Sequence, residues 1–386
     1  MKTATPEVKS KLYGLDHLRA LAIVLVFIFH YGHVFASPEW VTTIGKFGWT
    51  GVDLFFVLSG FLIASQLFAK TASPEGISFK DFFIKRFFRI IPAYLLVVAI
   101  YFLFPVCRER EAPAPLWKYL TFTQNLGLDL RHQGTFSHAW SLCIEEQFYL
   151  LLPIVLIILL YFKALRKGWV LILLFFLAGF AARLYCWYSL VVPYAGDDSF
   201  WMQWYKWIYY PTYSRLDGLL LGISIAAVFQ FRPALKEEIQ KHGNALLGIS
   251  LLILTAAYFI CFNEQSFGAS VFGFTMVDIG YGVMVLGAVS RTSFLYKRRL
   301  YFTSRLAALS YAVYLTHKIV IHLMQTYLAN DKIEKESNAM LLVCILGSLL
   351  AGWLLNILIE KPFLRLREKL IILRHEKTDK RHIKER

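Results

Sequence analysis

Ten stretches of this chain are apolar for about 17 to 25 residues each, long enough for a helix to cross a hydrocarbon core of about 30 Å. They lie near residues 15–36, 51–69, 86–104, 138–161, 169–192, 211–231, 244–263, 269–290, 306–328 and 339–360. The pattern predicts an all-α polytopic membrane protein. Basic residues test the partition, because cytoplasmic loops collect Lys and Arg. With both termini inside, the inner segments hold 29 of the 41 Lys and Arg and the outer segments hold 8. The other four, Arg19, Arg183, Arg215 and Lys318, fall near or within spans. Both termini are therefore expected to be cytoplasmic. No polar block is large enough for a second fold, so residues 1–365 read as one membrane domain and 366–386 as a basic cytoplasmic tail.

Composition agrees with that reading. Of 386 residues, 57% are hydrophobic and only 17% charged, with a mean hydropathy of +0.52, which excludes an ordinary soluble domain. The net charge of +15 sits mostly in juxtamembrane loops and the tail, where topology and anionic lipid headgroups account for it. It gives no case for nucleic-acid binding. The first apolar run contains Arg19, is longer than a signal-peptide core and is followed by nine more, so insertion is expected rather than cleavage. Cys107, Cys143, Cys186, Cys261 and Cys344 are scattered without C-x-x-C spacing, which indicates neither a disulfide framework nor a metal site.

Polar side chains are distributed unevenly within the spans. In LDHLRALAIVLVFIFHYGHVF, Arg19 and His30 stand eleven positions apart. At 100° per residue that is about three turns, so both lie on one face, roughly 16 Å apart along the axis. Ionisable groups inside a span are costly and mark functional sites. In SHAWSLCIEEQFYLLLP, Ser141, Glu145 and Tyr149 recur at i+4 and form a polar stripe, with Glu146 on another face. A carboxylate there needs a proton or a partner, and His30 and Arg19 match it chemically. At the inner mouth of the third span, KRFFRIIP sets Arg86 and Arg89 at i, i+3 beside Lys85. Two guanidiniums on one face form a fork for phosphate oxygens, although positive-inside charge alone also places basic residues here.

Other polar positions have a plainer explanation. Ser59 and Gly60 read as small residues that let helices approach closely, while Asp53 in the same span is open to a packing or a binding role. Arg215 and Asp217 are too close along the chain to face each other, but both can reach neighbouring helices. Ser310, Tyr314 and His317 recur at i+4 and i+3, and His317 and His322 read as packed, hydrogen-bonded residues rather than catalysts. Trp40, Trp117, Trp140, Trp201, Trp204 and Trp207 can stack on sugar rings, but an interfacial aromatic belt accounts for most of them.

Together these segments resemble the acyltransferase-3 family of integral membrane O-acyltransferases. The resemblance rests on Arg19 and His30 with ten residues between them, FFVLSG at 55–60, Arg86-x-x-Arg89, and Ser141-Leu142-x-x-Glu145-x-x-x-Tyr149. Weaker similarities are Arg215-Leu216-Asp217-Gly218, the segment from Tyr314 to His317, and Glu360-Lys361-Pro362. In order, the motifs cover about residues 12–365.

The resemblance implies an acyl-CoA-dependent O-acyltransferase of the bacterial cytoplasmic membrane, moving an acyl group, commonly acetyl, to a hydroxyl of a carbohydrate. Family members act on cell-surface polysaccharides, lipopolysaccharide O-antigen, peptidoglycan, root-nodulation oligosaccharides and macrolides. Some carry a fused extracytoplasmic domain, whereas the chain's end soon after the tenth span resembles the stand-alone form. The implied catalytic residues are His30, Glu145 and Arg19. Arg19, Arg86 and Arg89 are the expected donor contacts, and Ser141, Tyr149 and Asp53 the expected substrate contacts. No permanently bound cofactor and no metal are expected. The partners would be acyl-CoA, a carbohydrate or lipid-linked glycan, and membrane lipids.

The chemistry fits these residue types. A sugar hydroxyl is a poor nucleophile at neutral pH, and His30 would serve as its general base. Glu145 would orient the imidazole or stabilise its protonated form. Arg19 would stabilise the oxyanion or, being nearer the inner surface, hold CoA alongside Arg86 and Arg89. CoA would then enter from inside and the acceptor from outside, near the fourth span. The rival class is a transporter, because buried charges also line ion pathways. The two halves show no inverted repeat, and an inner Arg fork has no natural role in a proton relay.

Overall fold

The computed structural model describes residues 12–71 and 76–384, with side chains through Arg374. About 80% of the structure is helical, and no strand forms among the described residues. Ten helices follow the ten apolar stretches: α1 (Tyr13–Val34), α2 (Gly51–Thr71), α3 (Phe79–Leu103), α4 (Trp140–Tyr161), α5 (Gly168–Cys186), α6 (Asp217–Phe231), α7 (Gly243–Ile260), α8 (Phe274–Val289), α9 (Tyr301–Tyr327) and α10 (Asn338–Leu355). A final helix, α11 (Lys361–Lys384), continues from α10 through a π-helical turn, Asn356–Glu360, and runs unbroken through residues 365–366. Among the described residues, nine helical stretches are long and apolar enough to cross a membrane. With α6 and its bent neighbour counted as one span, the number is ten. The protein is an integral membrane protein.

α6 departs most from its apolar stretch. Of residues 211–231 only 15 form the helix, about 22 Å of rise. Pro211 leads instead into a 3₁₀ turn, Thr212–Ser214, and beyond Arg232 the chain turns through 110° into a short helix, Pro233–Lys241. Proline cannot continue a helix in which its missing N–H is needed, so Pro233 opens the new one.

α2, α8 and α9 form the centre, while α5, α7 and α10 present leucines such as Leu174, Leu252 and Leu346 outward. α2 and α6 pack backbone to backbone. A methyl group on Gly60 would lie 2.3 Å from the Leu219 carbonyl oxygen, and one on Gly222 would lie 2.4 Å from the Val57 carbonyl oxygen. The expected close approach at Gly60 is therefore present, with Gly222 as its counterpart. Gly222→Ala is expected to cost about 1 to 3 kcal/mol, because neither backbone can yield without shifting the helix. A fall in the melting temperature of the detergent-solubilised protein would record it; an unchanged melt would remove this contact from the account.

Both ends of the described chain lie on one face of the bundle, here called the near face. His17 in α1 donates from Nε2 to the Arg298 carbonyl (2.8 Å), just before α9 begins. Arg374 of α11 pairs with Asp81 at the start of α3.

On the far face, residues 105–137 form a cap. Tyr119 donates to the Thr135 carbonyl (3.0 Å), Tyr94 donates to the Tyr119 carbonyl (3.1 Å), and Asn125 donates to Thr212 (2.8 Å). The buried Glu109 takes the Phe136 N–H at 3.1 Å and pairs with Lys318 of α9 at 2.7 Å. Phe136 is left-handed (φ 56°), a conformation unfavourable for an aromatic residue. Glu109 thus fixes the turn that leads into Ser137 and His138.

Candidate active site

Two cavities enter the bundle from opposite faces, and Tyr314 of α9 lines both. The near cavity holds about 100 Å³ and is built where α1, α2, α3, α4 and α9 converge. Its polar wall consists of Arg19, Arg86, Arg89, Ser59, Ser141, Glu145 and Tyr149. The i, i+3 spacing on α3 brings Arg86 and Arg89 to the same opening as Arg19, so three guanidiniums converge on it. Arg86 donates to Gln66 at 3.2 Å. Arg19 and Arg89 have no hydrogen bond or ion pair with a described residue, which leaves their donors available to an anion. Glu145 accepts from Ser59 (2.8 Å) and Tyr149 (3.2 Å).

The far cavity holds about 240 Å³. Its floor is imidazole: His30 of α1 and His138 of the turn that opens α4 line it, and His317 of α9 stands behind them. The three rings lie 5.0 to 5.6 Å apart, centre to centre. His30 Nδ1 and His317 Nε2 share a hydrogen bond of 2.9 Å. His317 Nδ1 lies 2.9 Å from the Tyr314 carbonyl and 3.1 Å from the Val313 carbonyl of its own helix. His138 donates from Nε2 to the Tyr314 carbonyl at 3.1 Å. Aromatic side chains form the walls, among them Trp49 from the turn before α2, Trp140 at the start of α4, and Trp201, Tyr205 and Tyr209 from the helical segment before α6.

The partition between the cavities is thin and hydrogen-bonded. Tyr314 shares a hydrogen bond with Ser141 (2.7 Å) and donates to the His138 carbonyl. A path from the guanidiniums to His30 passes this tyrosine.

Three sequence expectations change. Glu145 does not reach His30: it lies seven residues beyond His138 on the fourth span, roughly 10 Å of helix rise, and faces the near cavity. The partner of His30 is His317. Asp53 lines neither cavity, because its carboxylate is bonded to Arg215 at 2.7 Å with both side chains about 1% exposed. Ser141 and Tyr149 face the near cavity with the guanidiniums, not the far cavity where the acceptor was expected. Arg19 and His30 do stand at separate cavities along one helix face. Of the tryptophans, Trp140 and Trp201 line the far cavity, whereas Trp204 is buried and bonded to Ser270 (2.8 Å).

A family model described as an acyltransferase domain matches residues 12–357. The chain belongs to the acyltransferase-3 family. Among its relatives is the O-acetyltransferase OatA of Staphylococcus aureus, 30% identical over 348 residues, which covers 83% of this chain and 52% of that protein. Another is the peptidoglycan O-acetyltransferase OatA of Listeria monocytogenes, 27% identical over 344 residues, covering 84% of this chain and 51% of that protein. The chain thus spans about half the length of these relatives. No solved structure matches it significantly.

In this acyltransferase-family chain, sequence reasoning missed His138, Lys318, Tyr314 as the partition, and the pairing of His317. A signal existed for the last of these: two histidines in separate apolar spans each need a hydrogen-bond partner, and each can satisfy the other.

Proposed function

We propose that the protein is a membrane O-acyltransferase that moves an acyl group, most simply acetyl, from acyl-CoA to a hydroxyl of a cell-surface glycan. The observation that carries this reading is the meeting of two cavities at Tyr314, one walled by guanidiniums and the other floored by imidazole. CoA is an anion with several phosphate charges, and Arg19, Arg86 and Arg89 suit it. With the near face cytosolic, as the Lys and Arg bias favours, the donor enters from the compartment that contains it. The aromatic walls of the far cavity suit the apolar faces of a sugar. The membrane is the bacterial cytoplasmic membrane, and the relative named for peptidoglycan makes a wall glycan the first acceptor to test.

In the reaction, the acceptor hydroxyl gives its proton to His30 as its oxygen bonds to the thioester carbonyl carbon. The carbon–sulfur bond then breaks, and the departing thiolate takes a proton from the imidazolium. Acyl transfer from acetyl-CoA by purified protein in detergent tests the reading. No compartments exist there, so turnover identifies an enzyme; its absence, together with acetyl-CoA-independent solute flux in liposomes, would favour a transporter.

Arg86→Ala and Arg89→Ala are each expected to raise the KM for acetyl-CoA about 10- to 100-fold, the equivalent of about 1.5 to 3 kcal/mol for a charge-assisted hydrogen bond. Their effect on kcat should be small. A fall in kcat at unchanged KM would instead place these arginines in the chemical step.

A further inference from the structure

We infer that His317 is a positioning residue that holds His30 in one tautomer, with Nδ1 protonated and Nε2 free to take the acceptor's proton. This rests on the proposed role of His30 as base and adds to it the group that makes the base competent.

The assignment follows from counting donors and acceptors. His317 is fully buried, and among the described residues its Nδ1 lies within hydrogen-bond distance only of the carbonyl oxygens of Val313 and Tyr314. Carbonyls accept and cannot donate, so Nδ1 carries the hydrogen. A neutral imidazole has one N–H, and His317 Nε2 is then an acceptor. The 2.9 Å contact to His30 consequently has a single sense, with His30 Nδ1–H donating to His317 Nε2. That leaves His30 Nε2 with its lone pair. This nitrogen has no partner among the described residues, and the His30 side chain lines the far cavity.

A carboxylate plays the orienting part in a Ser-His-Asp triad, where the wrong tautomer costs about 10⁴ in kcat. Here the helix backbone does it at one remove. The i−3 and i−4 carbonyls set the tautomer of His317, and His317 sets that of His30. The other ionisable groups around the pair are His33 on α1, Arg110 of the cap, His138 of the turn that opens α4, and Lys318 with Glu109. Glu109 is bonded to Lys318 and Phe136, so among the described residues no carboxylate is bonded to either imidazole of the pair.

The test compares His317→Ala with His317→Gln, whose side-chain oxygen falls near the position of Nε2 and can accept the same hydrogen bond. Rates are followed as CoA release from acetyl-CoA by membranes of producing cells, and as base-labile acetate on their surface glycans. His317→Ala should lose about 10²- to 10⁴-fold in kcat with the KM for acetyl-CoA unchanged. His317→Gln should recover at least about tenfold of that loss. In parental protein with ¹⁵N-labelled histidine, His30 should show a protonated Nδ1 and an unprotonated Nε2, and it should become a tautomer mixture in His317→Ala. This measurement needs neither acceptor nor turnover. Parental kcat in folded His317→Ala, equal rates for the Gln and Ala variants, or an unprotonated His30 Nδ1 in the parent would each overturn the inference. Parallel His30→Ala separates the two ideas. If it keeps its activity, the base reading itself falls; if it is inactive while His317→Ala is not, only the positioning role falls.

Discussion

His30→Ala should lower acyl transfer by about three orders of magnitude while leaving folded yield and acetyl-CoA affinity at parental levels. A positioned general base contributes about 10² to 10⁴ in rate. The imidazole is half-buried on the cavity wall and outside the apolar core cluster, so its removal deletes one hydrogen bond, to His317, and its ring contacts with Phe29, His138 and His317. Its helix position is also separate from the near cavity, where Arg19 stands eleven residues earlier on the same face. Binding and chemistry should therefore come apart in this variant: calorimetry with acetyl-CoA reports the near cavity, and product formation reports the far one. Residual rate would come from holding donor and acceptor together. If purified His30→Ala, with a parental melting temperature, retained more than about a tenth of the parental rate, another group would have to be the base.

The architecture was legible because each span had to satisfy one strong constraint, burying about twenty apolar residues in lipid. Ten such runs became ten helices, and only α6 was shortened, where Pro211 and Pro233 bracket it. Half of the site was legible for a similar reason. Arg19, Arg86, Arg89, Glu145 and Tyr149 are costly or phasic within their own helices, and they do share one cavity. Pairings between helices were not legible. Glu145 and His30 are complementary in chemistry, yet spacing along a helix says nothing about height across a neighbour. Two turns of α4 separate Glu145 from the imidazoles. His317 looked like ordinary packing because its local bonds, to Val313 and Tyr314, are those of any buried helical histidine. What distinguishes it is a nitrogen facing a residue 287 positions away.

The two-cavity arrangement also explains why so much charge is buried away from the chemistry. Arg215 lies just behind the far cavity's aromatic wall. Its guanidinium faces the rings of Phe274 (3.9 Å), Tyr209 (5.0 Å), Trp140 (5.6 Å) and Trp49 (5.8 Å). Three of these rings line the cavity. The cation and its partner Asp53 fix the wall from the side opposite the cavity, where a flexible apolar residue would let the rings shift.

Arg215→Met should accordingly be among the most destabilising single changes in the protein, about 3 to 5 kcal/mol, with the far cavity collapsing before the near one. Around Arg215 are gathered Asp53 at 2.7 Å, Asp217, which is bonded to Arg183 at 2.8 Å, and Asp278. Asp278 is close enough that a methyl group on Gly218 would meet its Oδ1 at 2.6 Å. All five side chains are at most 2% exposed. Removing Arg215 leaves three carboxylates facing one guanidinium in a region that water does not reach, and breaking a buried pair from one side strands the other charge. Asp53→Asn should cost less, because Arg215 keeps a hydrogen-bond acceptor at the same place. The double variant Arg215→Met, Asp53→Leu removes the pair together and should recover most of the lost stability, since a buried ion pair replaced by apolar side chains of similar volume is often neutral. Its activity should nevertheless remain low, because the aromatic wall has lost its anchor. Melting temperatures of the three detergent-solubilised variants, compared as a double-mutant cycle, check the ordering. Additive losses in the double variant would mean that Arg215 and Asp53 do not act as a unit, and that the wall is held by ring packing alone.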